Sequence, residues 1–85
     1  MTWTGAFTMP PIIIGCDLSR AFLDLCVDAG PTTSQIRNTP AAVGKWADTI
    51  DPSTLVVFEA TSGCDGAVMA ALDTRRIAYA RVNPR

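Results

Sequence analysis

Pro10 and Pro11 stand directly before Ile12-Ile13-Ile14-Gly15-Cys16-Asp17-Leu18, an apolar run broken only by one glycine and one aspartate. Such a run reads as a buried central strand and demands a sheet with neighbours on both sides. Asp17 is the residue out of place in it.

The segments that follow supply the neighbours. From Ala21 to Asp28, Leu23, Leu25 and Val27 alternate with Asp24, Cys26 and Asp28, a strand with one wet face. The short Ser19-Arg20 link makes these two strands an antiparallel hairpin. Gly30-Pro31 turns the chain again, and Ser34 to Asn38 reads as a polar third strand at an edge. Thr39-Pro40 is a helix start, with Val43, Trp46, Ala47 and Ile50 on one face and Asp51-Pro52 as the stop. Thr54 to Glu59 is the fourth strand, in which Leu55, Val56, Val57 and Phe58 run together and stop at a carboxylate. Asp65 then caps a second helix carrying Val68, Ala71 and Leu72, whose negative end Arg75 and Arg76 complement. Ile77 to Val82 is the last strand, closed by Asn83-Pro84.

The order β-β-β-α-β-α-β predicts an α/β fold with a mixed five-stranded sheet, order 3-2-1-4-5, in which only strand 2 runs backwards. Both crossovers travel the same way, so right-handedness sets both helices on one face. The other face lacks cover. With a final Arg85 at the exit of a strand, this predicts that residues 12–85 are the first part of a larger domain, truncated here, behind a disordered leader over residues 1–11. A chain of that kind is expected to be marginal, oligomeric or prone to aggregate.

Composition removes several function classes. The chain has no histidine, which excludes His-based catalysis and His-ligated metals. Its net charge of −1 argues against a whole-chain binder of polyanions. The sign is unevenly spread, however. Residues 1–74 hold three basic residues and all eight acids, whereas residues 75–85 hold Arg75, Arg76, Arg81 and Arg85 and no acid. No stretch is long and apolar enough for a transmembrane helix. Residues 1–11 lack the basic start of a secretory signal, and Cys16, Cys26 and Cys64 have no zinc spacing. Reduced thiols in the cytoplasm are the expectation.

Asp17 and Glu59 are the two candidates to carry chemistry. In the expected sheet they end adjacent parallel strands, about 4.8 Å apart, where two carboxylates repel unless a proton or cation lies between them. A hard divalent ion suits such oxygen ligands. The plainer alternative leaves Glu59 facing water and Asp17 bonding the turn before Ser19. Asp24, Asp28, Asp48 and Asp73 read as solvated acids, Trp46 as core and Cys64 as a structural thiol.

Ile14-Gly15-Cys16-Asp17-Leu18-Ser19-Arg20 with Phe22-Leu23-Asp24-Leu25 resembles the first motif of the DEDD transposases of the insertion-sequence-110 type. Asn38-Thr39-Pro40-Ala41, Glu59-Ala60-Thr61 and Val82-Asn83-Pro84-Arg85 resemble that family's later landmarks, in order, so the resemblance spans residues 12–85. It implies a RuvC-like, ribonuclease-H-like domain with four acids that bind Mg²⁺, Asp17 matching the first and Glu59 the second. In the family the third and fourth acids, an Asp-x-x-Asp pair, and the serine-bearing C-terminal domain follow the Asn-Pro-Arg landmark, so both are expected to be absent here. The implied partners are DNA, a structured guide RNA from the element and, for the full-length parent, further copies of itself at the nucleoid. Arg20, Arg81 and Arg85 are the candidate nucleic-acid contacts, with helix-dipole complement and solubility as the alternative role of the basic tail. Ser62-Gly63-Cys64 departs from the family's Gly-Gly-Tyr and loses an aromatic; Cys16 replaces an aliphatic residue, and Arg20 a lysine. With half the acids, the chain is expected not to cleave DNA alone. Two other readings are an actin-like ATPase or sugar-kinase fragment, disfavoured because Leu18-Ser19-Arg20 lacks a phosphate-turn glycine, and a gene remnant without catalysis.

Overall fold

A computed structural model of the chain describes residues 12–28, 30–59 and 63–83. The leader expected over residues 1–11 lies outside them. So do Arg85 and the landmark residues Ala60, Thr61 and Pro84.

Seven elements follow in the expected order: β1 (Ile13–Leu18), β2 (Phe22–Val27), β3 (Thr32–Arg37), α1 (Pro40–Ala47), β4 (Leu55–Glu59), α2 (Gly66–Thr74) and β5 (Ala78–Val82). The sheet order is β3-β2-β1-β4-β5. β2 is antiparallel to both β1 and β3, while β1, β4 and β5 are mutually parallel. The α/β class, the strand order and the reversed second strand are therefore those read from the sequence.

Alternation along the strands divides the sheet into two faces. Cys16, Leu23, Leu25, Val56 and Phe58 are buried beneath Val43 and Ala47 of α1 and Val68, Ala71 and Leu72 of α2. Tyr79 stacks on Phe58 in a tilted pair with ring centroids 5.6 Å apart. Both helices thus cover one face, as a pair of right-handed crossovers running the same way requires. The opposite face carries Ile13, Gly15 and Asp17 of β1, Phe22, Asp24 and Cys26 of β2, and Leu55, Val57 and Glu59 of β4. Among the described residues no element covers it, and Ile13 and Phe22 are each 37% exposed there.

Local chemistry explains the element ends. The hydroxyl of Thr39 accepts from the Ala42 amide at 3.2 Å, and Pro40 follows in the first turn of α1. Thr39→Ala is expected to cost about 1 kcal/mol by leaving that amide without its cap. Urea unfolding checks this, since Thr39→Ser should restore the wild-type midpoint. α2 closes through Arg76 at φ 56°, with Arg76 donating to the Asp73 carbonyl and Ile77 to the Leu72 carbonyl. That is a left-handed cap with buried Ile77 and Leu72 at its base. Arg75 donates from Nη1 to the Ala71 carbonyl at 3.0 Å, the expected complement to the helix end.

Three local expectations change. α1 stops at Ala47, not at Asp51: the Ile50 amide bonds the Ala47 carbonyl, and Ile50 reaches the core from a turn. β3 begins at Thr32, two residues early, because an exposed edge needs no apolar pattern to hydrogen-bond. Asp65 sits at the start of α2, yet its side chain makes no capping bond. It accepts instead from Arg81 Nε at 2.8 Å.

Candidate metal centre

β1 and β4 bring the two singled-out carboxylates together. Gly15 pairs with Val57 and Cys16 with Phe58. One residue further, that register sets Asp17 beside Glu59 on the open face, where adjacent strands lie about 4.8 Å apart. Both acids are exposed. Both line one shallow cleft of about 290 Å³, together with Gly15, Cys16, Leu18 and Cys26.

The cleft owes its floor to Gly15. A Cβ there would stand 3.1 Å from Cys26 Sγ, so the missing side chain is what admits the thiol. Cys26 uses the space to donate to the Gly15 carbonyl at 3.7 Å.

A third acid joins the same face. Asp17 is in register with Asp24 across the β1–β2 hairpin, and Asp24 Oδ1 accepts from Gln35 Nε2 at 2.7 Å. Asp24 read as a solvated acid in the sequence: a two-residue Ser19-Arg20 link would set Asp17 opposite Phe22, whereas the wider turn pairs Leu18 with Leu23 and brings Asp24 opposite Asp17. Among the described residues, no group of three or more His, Cys, Asp or Glu side chains is arranged to hold a metal ion. The fold therefore offers a carboxylate pair, not a closed cage. A pair suits Mg²⁺, which keeps several waters and takes only one or two protein carboxylates.

The turns around the cleft are tightly tied. Ser19 Oγ accepts from the Phe22 amide at 3.0 Å and donates to the Phe22 carbonyl at 3.1 Å, which closes the turn after Asp17. Asn38 Nδ2 donates to the carbonyls of Ser19 at 2.8 Å and Cys64 at 2.9 Å. No sequence pattern announced that contact, because it depends on three loops meeting at one end of the sheet.

The basic candidates do not gather around the acids. Arg20 is exposed in the turn after Asp17. Arg81 is in register with Phe58, which puts it on the helix-covered face, where it pairs with the largely buried Asp65. Arg85 lies outside the described residues. Two acids that read as solvated also have partners: Asp48 accepts from Arg75 Nε at 2.7 Å, and Asp73 hydrogen-bonds Tyr79, which raises the phenol pKa.

Cys16 faces the core, and burial pushes its thiol up to about 12, with a smaller contribution from Cys26. Raised in this way, the group stays protonated throughout the range where alkylating agents are used. We expect iodoacetamide at mildly alkaline pH to modify half-buried Cys26 and Cys64 and spare Cys16 until urea unfolds the chain. Mass spectrometry of the peptides reads the result. Equal labelling of all three in the folded protein would contradict it.

No protein-family model matches the chain, and no curated protein matches it. Among the described residues, no helix is long and apolar enough to cross a membrane.

Proposed function

We propose that the chain supplies the first two carboxylates of a ribonuclease-H-like, divalent-metal site for phosphodiester chemistry on DNA, as in the N-terminal part of a DEDD transposase of the insertion-sequence-110 type. One observation supports this above the rest. The two acids matching that family's first and second metal ligands, Asp17 and Glu59, line one cleft at the ends of adjacent parallel strands.

Asp17 and Glu59 would hold the ion, here Mg²⁺. Bound there, such an ion supplies Lewis-acid stabilisation of the charge that builds on a phosphodiester under attack. The protein's part is to fix two carboxylates at the ends of adjacent strands, in an open cleft. Arg20, in the turn beside Asp17, presents a guanidinium to a DNA backbone. Arg81 contributes by neutralising buried Asp65 and so anchoring β5 to the start of α2. DNA is the expected partner, with a structured RNA directing it to its target.

The test is a titration of the purified chain with Mn²⁺, followed by electron paramagnetic resonance. One saturable site of millimolar strength is expected, with supercoiled plasmid left intact in the same solution because two carboxylates alone do not complete the reaction. Absence of saturable binding would sink the proposal, and Mg²⁺-dependent nicking abolished by Asp17→Ala would contradict the expected inactivity of the chain alone.

A further inference from the structure

We infer that Asn38 is a positioning residue for the carboxylate pair, its single amide group fastening the loop after Asp17 to the loop after Glu59. This rests on the metal-site reading of Asp17 and Glu59.

β1, β3 and β4 run parallel, so their C-terminal ends share one end of the sheet. Asn38 sits at the exit of β3, immediately before the Thr39 cap of α1. Its backbone amide donates to the Ala21 carbonyl at 2.8 Å, which holds it against the β1–β2 turn. Its side chain then spends both protons of Nδ2, one on Ser19 and one on Cys64. Ser19 lies two residues beyond Asp17, and Cys64 lies five beyond Glu59. One planar group therefore ties Ser19, just past β1, to Cys64, just before α2.

The chemistry explains why an amide stands here. Both targets are carbonyls, so the bridging atom must donate twice. Aspartate has the same shape but only accepts, and serine has a single proton. Two carboxylates side by side push their strand ends apart, most strongly without a cation. A doubly donating clasp opposes that separation and keeps the pair at the spacing an ion needs. Groups that orient ligands without touching the ion commonly change affinity by about 10-fold to 100-fold.

Asn38→Asp is the decisive substitution, because it keeps the shape and removes both donated bonds. Two readouts are taken on the same sample. In metal-free protein, hydrogen exchange should accelerate together at the amides of residues 19–22 and 63–65, while those of Val56, Phe58 and Leu72 stay protected. With Mn²⁺, the dissociation constant should rise by about tenfold, and Asn38→Gln should recover part of the loss. Should Asn38→Asp unfold the chain, Asn38→Ser, which keeps one donor, gives an intermediate affinity under the same inference. If both loops loosen but Mn²⁺ affinity is unchanged, Asn38 is a structural clasp only and the inference fails while the metal site stands. If the wild-type chain binds no Mn²⁺, the metal-site reading itself falls and carries this inference with it.

Discussion

Phe58→Ala is expected to leave the chain without a cooperative unfolding transition. Phe58 is 2% exposed and lies in the middle of the sheet, in register with Cys16 on one side and Arg81 on the other. It stacks on Tyr79 and lies within the core that both helices cover. Truncating a buried phenylalanine costs about 3–5 kcal/mol, part of it for the cavity left behind. Proteins hold only about 0.05–0.15 kcal/mol per residue in reserve, and a small sheet with one face uncovered stands at the low end of that range. The loss therefore rivals the whole stability. Near-ultraviolet circular dichroism against urea measures it, with Val57→Ala as the control. Val57 is next to Phe58 but points to the open face and is only half-buried, so its truncation should shift the midpoint modestly. A Phe58→Ala protein that unfolds at the wild-type midpoint would show that the core is not where the structure puts it.

Asp17→Asn should move metal binding and stability in opposite directions. Taking one charge from a two-carboxylate site removes a strong attraction for a divalent cation, and Mn²⁺ affinity should drop at least about a hundredfold. Glu59→Gln should do the same. Without metal, Asp17 stands beside Glu59 and directly opposite Asp24. Like charges facing each other across strands are destabilising, so Asp17→Asn should make the metal-free chain more stable by about 0.2–1 kcal/mol. Asp24→Asn should show the stability gain with little change in affinity, because the Asp24 carboxylate is already committed to Gln35. Titration and urea melts of the three variants check all of this. An Asp17→Asn protein that loses stability without metal would mean its carboxylate serves the turn, as the plainer reading of that residue holds.

Much of the architecture was legible in the residues because local and global signals agree. Gly30-Pro31 marks the turn between β2 and β3 through backbone restriction alone, whereas Asp51-Pro52 stands four residues past the actual end of α1. The apolar runs 12–18, broken only by Gly15 and Asp17, and 55–58 require central positions. With those two strands central and parallel, the handedness of crossovers leaves few arrangements. The closeness of Asp17 and Glu59 then follows from topology.

What stayed hidden depends on register or on tertiary meeting points. Ile50 continues the helical spacing of Val43, Trp46 and Ala47, yet the helix has already ended and a turn delivers the side chain to the core. Asp65 stands where a capping residue stands, but Arg81 reaches it from β5, and a buried carboxylate is better satisfied by a guanidinium than by an amide. Asp24 joins the acidic face only through its pairing with Asp17. Asn38 reads as the end of the third strand and as part of the Asn38-Thr39-Pro40-Ala41 landmark; its two loop contacts, 19 and 26 residues away, leave no trace in spacing.

The parallel pairing of β1 with β4 also sets an order of events in time. The β1–β2–β3 meander closes through contacts close in sequence, whereas Ile13 meets Leu55 only after the whole of α1 has been laid down. Distant pairings are slow because their loop entropy must be met before any contact rewards it. The three strands of the meander can therefore pair before β4 is available, which leaves one edge of β1 waiting for a partner. That edge, beside the most apolar strand of the chain, is the place where another strand could intrude. The carboxylate cleft is therefore among the last parts of the molecule to assemble, and Asp17, near the end of that waiting edge, is a charge set where stray pairing would otherwise be easiest.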